Sequence, residues 1–571
     1  MEFTYKKYDN HNLFSNFENI ELTNLSHIQN YVPIYNKFFT LNEGNYNSIS
    51  LNHKYFITNI KSKETNNKFI GEVSDNSDSI IEKKLFFKYS PLLDPTKYIT
   101  GKYDESHNTL IKLPTFINNE AHAKLSDSNN SAYVDSFFSY LTCQMLNNNN
   151  FIHGIDFYGS FLGIKNNFLY DINDEIEYLY DSDYFHKNKN ILFSMENGFH
   201  NELLNKNTRN YKNCINIGED ISDVEIFTDS LVLNDISEII TNDISCDDLS
   251  KTELFCQDVS NNESIPELFY EGNIKNNEDD SSSVSCSSRS SNSDDEENED
   301  ENGNISDSEV DSTESTLSDE VINVNIKEFP IQLIALERCN DTLDNLITND
   351  EISDDELSAI VVQILMMLIT YQKVFSFTHN DLHTNNIMYI NTDKQYLYYK
   401  YDDKHYKVPT FGKIFKLIDF GRAIYTFRGN TICSDSYHPE GDAATQYNFE
   451  PYFNDKKPRL KPNNSFDLCR LGCSLFDYFV DDLDNVYKDK SDIVKIIIKW
   501  CYDDKERNIL YKTNGEERYP DFKLYKMIAR TVNKHVPSSV IKYPYFDKYN
   551  IPRKKIKNSK VMNIDMLNKQ I

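Results

Sequence analysis

A chain of 571 residues with a formal charge of −31 is long enough to bury a large core and exceeds one typical domain, so two packed regions with insertions are expected. The acidic balance excludes a general nucleic-acid binder, because phosphate backbones are held by lysine and arginine. Ten cysteines without a CxxC pair, no apolar N-terminal leader and no apolar run near the roughly 20 residues that span a bilayer imply a soluble, intracellular protein with reduced thiols and no membrane partner.

Residues 1–67 are rich in Asn, Tyr and Ile and read as an N-terminal extension, with strand texture only at Phe38–Leu41 and Tyr55–Ile60. Residues 68–214 read as a β-rich region. Lys68–Val73 and Ile80–Tyr89 are strands around a polar turn at Asp75–Ser79, and Ser90-Pro91 stops the second one. Lys88 stands among aromatic residues there, and a lysine in a buried strand needs a partner for its charge. Lys84 shares its face by alternation and competes with it, whereas Lys83 points the other way. Gly71 is the single glycine before the Asp75–Ser79 turn, and no GxGxxG occurs anywhere.

Val134, Phe137, Phe138, Leu141 and Met145 recur at helical spacing and predict a helix over Ala132–Leu146, which carries Asp135 but no glutamate. Ile155–Leu162 reads as a further strand. Residues 215–328 form an acidic, serine-rich insertion: 271–320 holds 17 acidic against 2 basic residues. Such a segment buries too little apolar surface to offset its ordering entropy, so disorder is expected.

Residues 329–541 predict a mainly helical region. An apolar strand from Phe329 runs into Glu337-Arg338-Cys339 and then a short helix at Thr342–Ile347. The long apolar helix Asp355–Phe375 delivers the chain to His379-Asn380-Asp381-Leu382-His383-Thr384-Asn385-Asn386. Gln395–Val408 reads as a tyrosine-rich hairpin near the site, and Ile414–Ile418 is an apolar strand ending in Asp419-Phe420-Gly421. Cys469 and Cys473 lie one helical turn apart but have no histidine partners for zinc. Helical runs at Ile493–Trp500 and Leu524–Val532 complete the region, and 542–571 is a basic, solvated tail.

The chemistry concentrates in 379–386 and 419–421. One carboxylate, Asp381, suits an attacking hydroxyl, while the amide of Asn386 and the carboxylate of Asp419 offer the hard oxygen donors that magnesium prefers. His379-x-Asp381-Leu382-x-x-x-Asn386 followed by Asp419-Phe420-Gly421 resembles the catalytic and metal loops of the eukaryotic-type protein kinases. The Asn/Tyr/Ile texture and acidic insertion are similar to kinases of large DNA viruses, which would place the protein in host cytoplasm or virion.

That resemblance implies an α+β, bilobal kinase-like fold and a Ser/Thr protein kinase using ATP and Mg²⁺. It makes Asp381 the catalytic base, Asn386 and Asp419 the metal ligands, and Lys88 the phosphate-holding lysine paired with Asp135. Gly71 would help to cover the nucleotide, Glu337, Arg338 and Cys339 would form the adenine-reading hinge, and Asp467 would brace the catalytic loop. Asn380, where many members carry a basic residue, implies activity independent of activation-loop phosphorylation. His383 is similar instead to choline- and aminoglycoside-kinase-like phosphotransferases, an alternative that differs in acceptor. The missing glycine loop and glutamate, and an Ala-Pro-Glu anchor reduced to Phe449-Glu450-Pro451, leave a pseudokinase scaffold as a third reading. Substrate identity and oligomeric state are not encoded in any of these motifs.

Overall fold

The computed structural model describes residues 3–195 and 322–570, except 8, 9, 76, 78, 104, 118, 119, 350 and 557–559. Most of the acidic insertion, including the 271–320 run, therefore lies outside the described residues. The chain is an α+β protein in which one curled antiparallel sheet precedes a mainly helical region.

Seven strands build the sheet. Six of them are β1 (Leu25–Gln29), β2 (Tyr55–Lys63), β3 (Lys68–Asp75), β4 (Ile80–Pro91), β5 (Phe157–Asp171) and β6 (Asn323–Glu337), in the spatial order β1-β5-β6-β4-β3-β2. The short strand Phe193–Met195 adds to β6. Two expected boundaries move as a result. Residues 25–29 and 55–63, assigned to an extension by their polar composition, pair with β5 and β3. Residues 323–328, assigned to the insertion, begin β6, where Val324 and Ile326 are fully buried.

Period-two alternation in β4 sets its two faces. Leu85 and Phe87 enter the core, where Phe87 stacks on Phe69 with ring centroids 4.5 Å apart, while Lys84, Phe86 and Lys88 share the opposite face. Lys84 is exposed and Lys88 is not, which separates the two candidate lysines.

Helix α1 (Ser131–Asn149) is capped by Asn130, whose side chain accepts the Ala132 N–H, and every residue from Ala132 to Met145 is buried. A helix buried on every side belongs inside the fold, and this one lies between the sheet and the helical region. Helix α2 (Asp354–Phe375) starts at the Ser353 cap with three acids in its first turn, which suit the positive helix end, and stops at Ser376 in the left-handed region. It is long and apolar enough to cross a membrane, but 89% of its apolar window is buried within the protein.

After α2 the chain makes a polar loop and then β7 (Ile387–Asn391), which pairs with β10 (Lys413–Leu417). Between them lies the tyrosine hairpin, β8 (Tyr396–Tyr401) and β9 (Lys404–Pro409). The hairpin packs inward: Tyr399 is fully buried, and its hydroxyl meets His153 Nε2 at 2.7 Å. Nor is the C-terminal segment wholly a solvated tail, because Met562 and Asn563 pair in parallel with Tyr399 and Lys400. Helices α3 (Phe466–Phe479), α4 (Asp492–Trp500) and α5 (Lys523–Thr531) complete the packing.

Candidate phosphoryl-transfer site

The site forms where β4, α1, the 379–386 loop and the 419–442 segment converge. Lys88 Nζ lies 2.8 Å from Asp135 Oδ2 and 2.8 Å from Asp419 Oδ1, so one ammonium joins the sheet, helix α1 and the loop after β10. Asp135 also accepts the Phe420 N–H with its other oxygen at 2.8 Å. Asp135 is 3% exposed, and α1 sits deep enough for this short acid to reach Lys88.

Charge balance follows from this burial. Desolvation pulls the Lys88 ammonium down, but the two carboxylates outweigh it and hold the pKa above the ordinary lysine value. Asp135 is pushed up by desolvation despite Lys88, while Asp419, buried as well, is drawn below the usual carboxylate range by Lys88. Of the two acids, Asp419 is the one whose ionised form the surroundings favour more. Its φ of 60° and the 66° of Asn380 put both residues in the left-handed region, a strained backbone that native packing has to hold.

Asp381 and Asp419 line the same cavity as Lys88, a cleft of about 890 Å³. Asp381 Oδ1 accepts the Tyr525 hydroxyl at 2.7 Å, Arg470 Nε donates to that hydroxyl at 2.9 Å, and Arg422 Nη1 is 3.8 Å from Asp381 Oδ2. Burial works against ionising Asp381, yet Arg422 and Arg470 prevail and lower its pKa to about 2. His383, lowered by burial to about 4, is neutral at physiological pH.

The loop itself is braced from below. Asp467 on α3 accepts the backbone N–H groups of His379 and Asn380 at 3.0 and 2.9 Å, and His379 Nε2 meets the Ile418 carbonyl at 2.9 Å. Asn386 donates its amide N–H to the Asp381 carbonyl at 2.9 Å and approaches His383 Nε2 at 3.0 Å, so the amide oxygen is the end turned from both partners. Among the described residues no group of three or more His, Cys, Asp or Glu is arranged to hold a metal. Asp419 lines the cleft, whereas Asn386 does not. A carboxylate and an amide oxygen are donors of the kind magnesium takes, with waters and phosphate oxygens completing its shell.

Other expected positions fall elsewhere. Gly71 lies inside β3, where an added Cβ would come within 2.5 Å of Leu85 Cδ1 and 2.7 Å of the Asn59 carbonyl, so its role is close strand packing and not cover for a ligand. The turn that borders the cavity is Thr65-Asn66-Asn67 between β2 and β3, which precedes the Asp75–Ser79 turn singled out in the sequence. Glu337 ends β6 as expected and Cys339 follows it, but neither lines the cavity. The Glu337 side chain instead accepts from the Asp156 N–H at 2.8 Å and pairs with the buried Lys416, and the Cys339 thiol is raised by burial to about 12.

Sequence reasoning did not find Tyr525, Arg422, Arg470 or the Thr65–Asn67 turn. No family model matches the chain, and neither does any curated protein.

Proposed function

We propose that the protein is a bilobal, protein-kinase-like phosphotransferase that moves the γ-phosphate of ATP to Ser or Thr hydroxyls of a protein substrate. The observation that carries this reading is Lys88 held at 2.8 Å by both Asp135 and Asp419, in one cleft with Asp381. A cation fixed between two carboxylates, beside a separate ionised acid, is an arrangement suited to phosphates on one side and a hydroxyl on the other.

In this reading the acceptor oxygen attacks the γ-phosphorus, the bond from that phosphorus to the β–γ bridging oxygen breaks, and ADP leaves with the electron pair. Asp381 orients the hydroxyl and takes its proton. With a pKa near 2 it is a weak base, so its proton uptake follows bond making and its main contribution is orientation. Asn386 and Asp419 would hold magnesium, which when bound supplies positive charge to the phosphate oxygens. Lys88 neutralises phosphate charge from the sheet side.

The small-molecule reading draws support from one feature. The connection between β4 and α1 grips the segment facing Asp381, through Lys124 with Asp435 and through Lys97 Nζ donating to the Glu440 carbonyl at 2.8 Å, which walls the acceptor side of the cleft. Thermal shift with ATP and Mg²⁺, followed by labelled-phosphate incorporation into a mixed protein panel and into small alcohols, tests both. ATP binding that weakens in Lys88→Met, and transfer that vanishes in both Lys88→Met and Asp381→Asn, support phosphoryl transfer, and the labelled product separates the acceptors. Nucleotide-independent melting and no incorporation would sink it.

A further inference from the structure

Helix α1 has to sit at one depth and rotation for Asp135 to reach Lys88, and its N-terminus is held by the segment after the Asp419 loop. Asp435 Oδ1 accepts the Ser131 N–H, the first of α1, at 2.9 Å, and Asp435 Oδ2 pairs with Lys124. The Asp435 N–H in turn donates to the Asn129 carbonyl at 2.7 Å. Its side chain is 6% exposed, so this is a buried ionic contact between two distant parts of the chain rather than a surface pair.

The same two elements are joined twice more along α1. Tyr425 donates its hydroxyl to the Val134 carbonyl at 2.9 Å, and Phe420 donates its N–H to Asp135. The three contacts fall at Ser131, Val134 and Asp135, on successive parts of the first helical turn and just beyond it. The 420–435 segment thereby sets both the height and the rotation of α1.

Asn380 shows what is missing from this arrangement. It is fully buried and satisfied by neutral groups, accepting the Tyr447 hydroxyl at 2.7 Å and donating to the Arg422 carbonyl at 3.0 Å, so it has no charge with which to gather an added phosphate. A phosphate placed on such a segment acts by recruiting cations and helix N–H groups. Asp435 already does both.

We infer that Asp435, with Lys124, is the positioning group of this site: its carboxylate permanently clamps the 420–435 segment to the N-terminus of α1 and so holds Asp135 against Lys88 without any modification. The inference rests on the phosphotransferase reading for its consequence and on geometry alone for the clamp.

The test uses the full chain with Asp435→Ser, which removes both contacts, and Asp435→Asn, which can still accept the Ser131 N–H but loses the ion pair. Hydrogen exchange is followed at amides 131–135 and Phe420, with the core of α2 as the internal reference, and KM for ATP is measured beside kcat. Expected for Asp435→Ser is exchange faster by roughly tenfold or more at those amides alone, with KM for ATP raised by a similar factor and no response of the wild type to phosphatase. Asp435→Asn should fall between it and the wild type. Unchanged exchange, acceleration spread equally through α2, or faster exchange with an unchanged KM overturns the inference. A wild-type protein that neither binds ATP nor transfers phosphate would instead refute the proposed function, while the exchange measurement still decides the clamp.

Discussion

Lys88 and Asp135 are 47 residues apart in the chain, and their charged groups meet at 2.8 Å, with the second carboxylate oxygen of Asp135 taking the Phe420 N–H. One aspartate therefore serves two partners on two elements. Asp135→Asn keeps the acceptor for Phe420 but removes the charge, leaving Lys88 to Asp419 alone. Transfer activity should fall on the order of 10²-fold, because the ammonium is drawn toward Asp419, the acid proposed to hold magnesium. Asp135→Glu should not restore it, since the site is buried and an extra methylene has to displace packed neighbours. Steady-state kinetics on both variants checks this.

Asp381 gives a second expectation. Asp381→Asn should retain the fold and lose activity on the order of 10³-fold. Tyr525→Phe is the more informative variant. Removing the hydroxyl takes away a hydrogen bond to the ionised form, so the Asp381 pKa moves up from about 2 toward the ordinary carboxylate value. If ionised Asp381 is the active form, the acid limb of the rate profile should move to higher pH, with a modest loss at pH 7. A profile unmoved in Tyr525→Phe would separate Tyr525 from the chemistry.

These two sites differ in how legible they were. The 379–386 loop and Asp419 could be read because short spacings on a strand and a loop constrain where side chains sit, whatever the rest of the chain does. Lys88 stands out against Lys84 by its aromatic neighbours, whereas its pairing with Asp135 was legible only through the kinase resemblance. Tyr525 could not: it is 144 residues from Asp381, on a short helix whose approach depends on packing against α3. The Thr65-Asn66-Asn67 turn carried no glycine to mark it, and Gly71 misled because a glycine needed for close strand packing looks the same in sequence as one needed for a ligand. Strand β1 was missed because Leu25–Gln29 is short and its pairing with β5 skips over 130 residues of chain, whereas β2 was legible as strand texture at Tyr55–Ile60 but not as a member of the sheet.

Buried neutral histidine offers a test of the fold that is independent of function. His153 is fully buried between the Phe415 carbonyl and the Tyr399 hydroxyl, each 2.7 Å away, and burial lowers its pKa to about 4. The unfolded chain binds this proton near pH 6.5 and the folded one does not. Its contribution is therefore complete above pH 6.5 and is lost as pH falls toward 4, by roughly 2 kcal/mol at pH 5. Imidazole NMR shifts should show His153 still neutral at pH 5.5 in the folded protein; titration near pH 6.5 would contradict the burial.

Asn380 yields a prediction about charge. Its amide is closed in by Tyr447, Thr378 and the Arg422 carbonyl, none of which carries a negative charge on the contacting atom. Asn380→Arg, which writes the residue common at this position of the resembled family, should not create a phosphate-responsive enzyme. It should bury an uncompensated cation and cost about 3 kcal/mol or more, read as a lowered denaturant midpoint.

Glu337 and Lys416 give the last test. Lys416 is 2% exposed on β10 and donates to the Gly154 carbonyl at 2.8 Å, while its ammonium pairs with Glu337 at the end of β6. Desolvation lowers the lysine pKa, and Glu337 more than reverses this, so the Lys416 ammonium keeps its charge in the folded protein. Removing one partner strands the other. Glu337→Gln should destabilise by about 3 kcal/mol or more, whereas Glu337→Gln combined with Lys416→Met should recover part of that loss, because two neutral groups no longer require mutual charge compensation. The Asp156 N–H keeps an acceptor in both variants through the glutamine carbonyl, so the comparison isolates the ion pair. Urea unfolding of the four proteins in the cycle measures the coupling, and equal losses in the single and double variants would mean that the pair is no more than local packing.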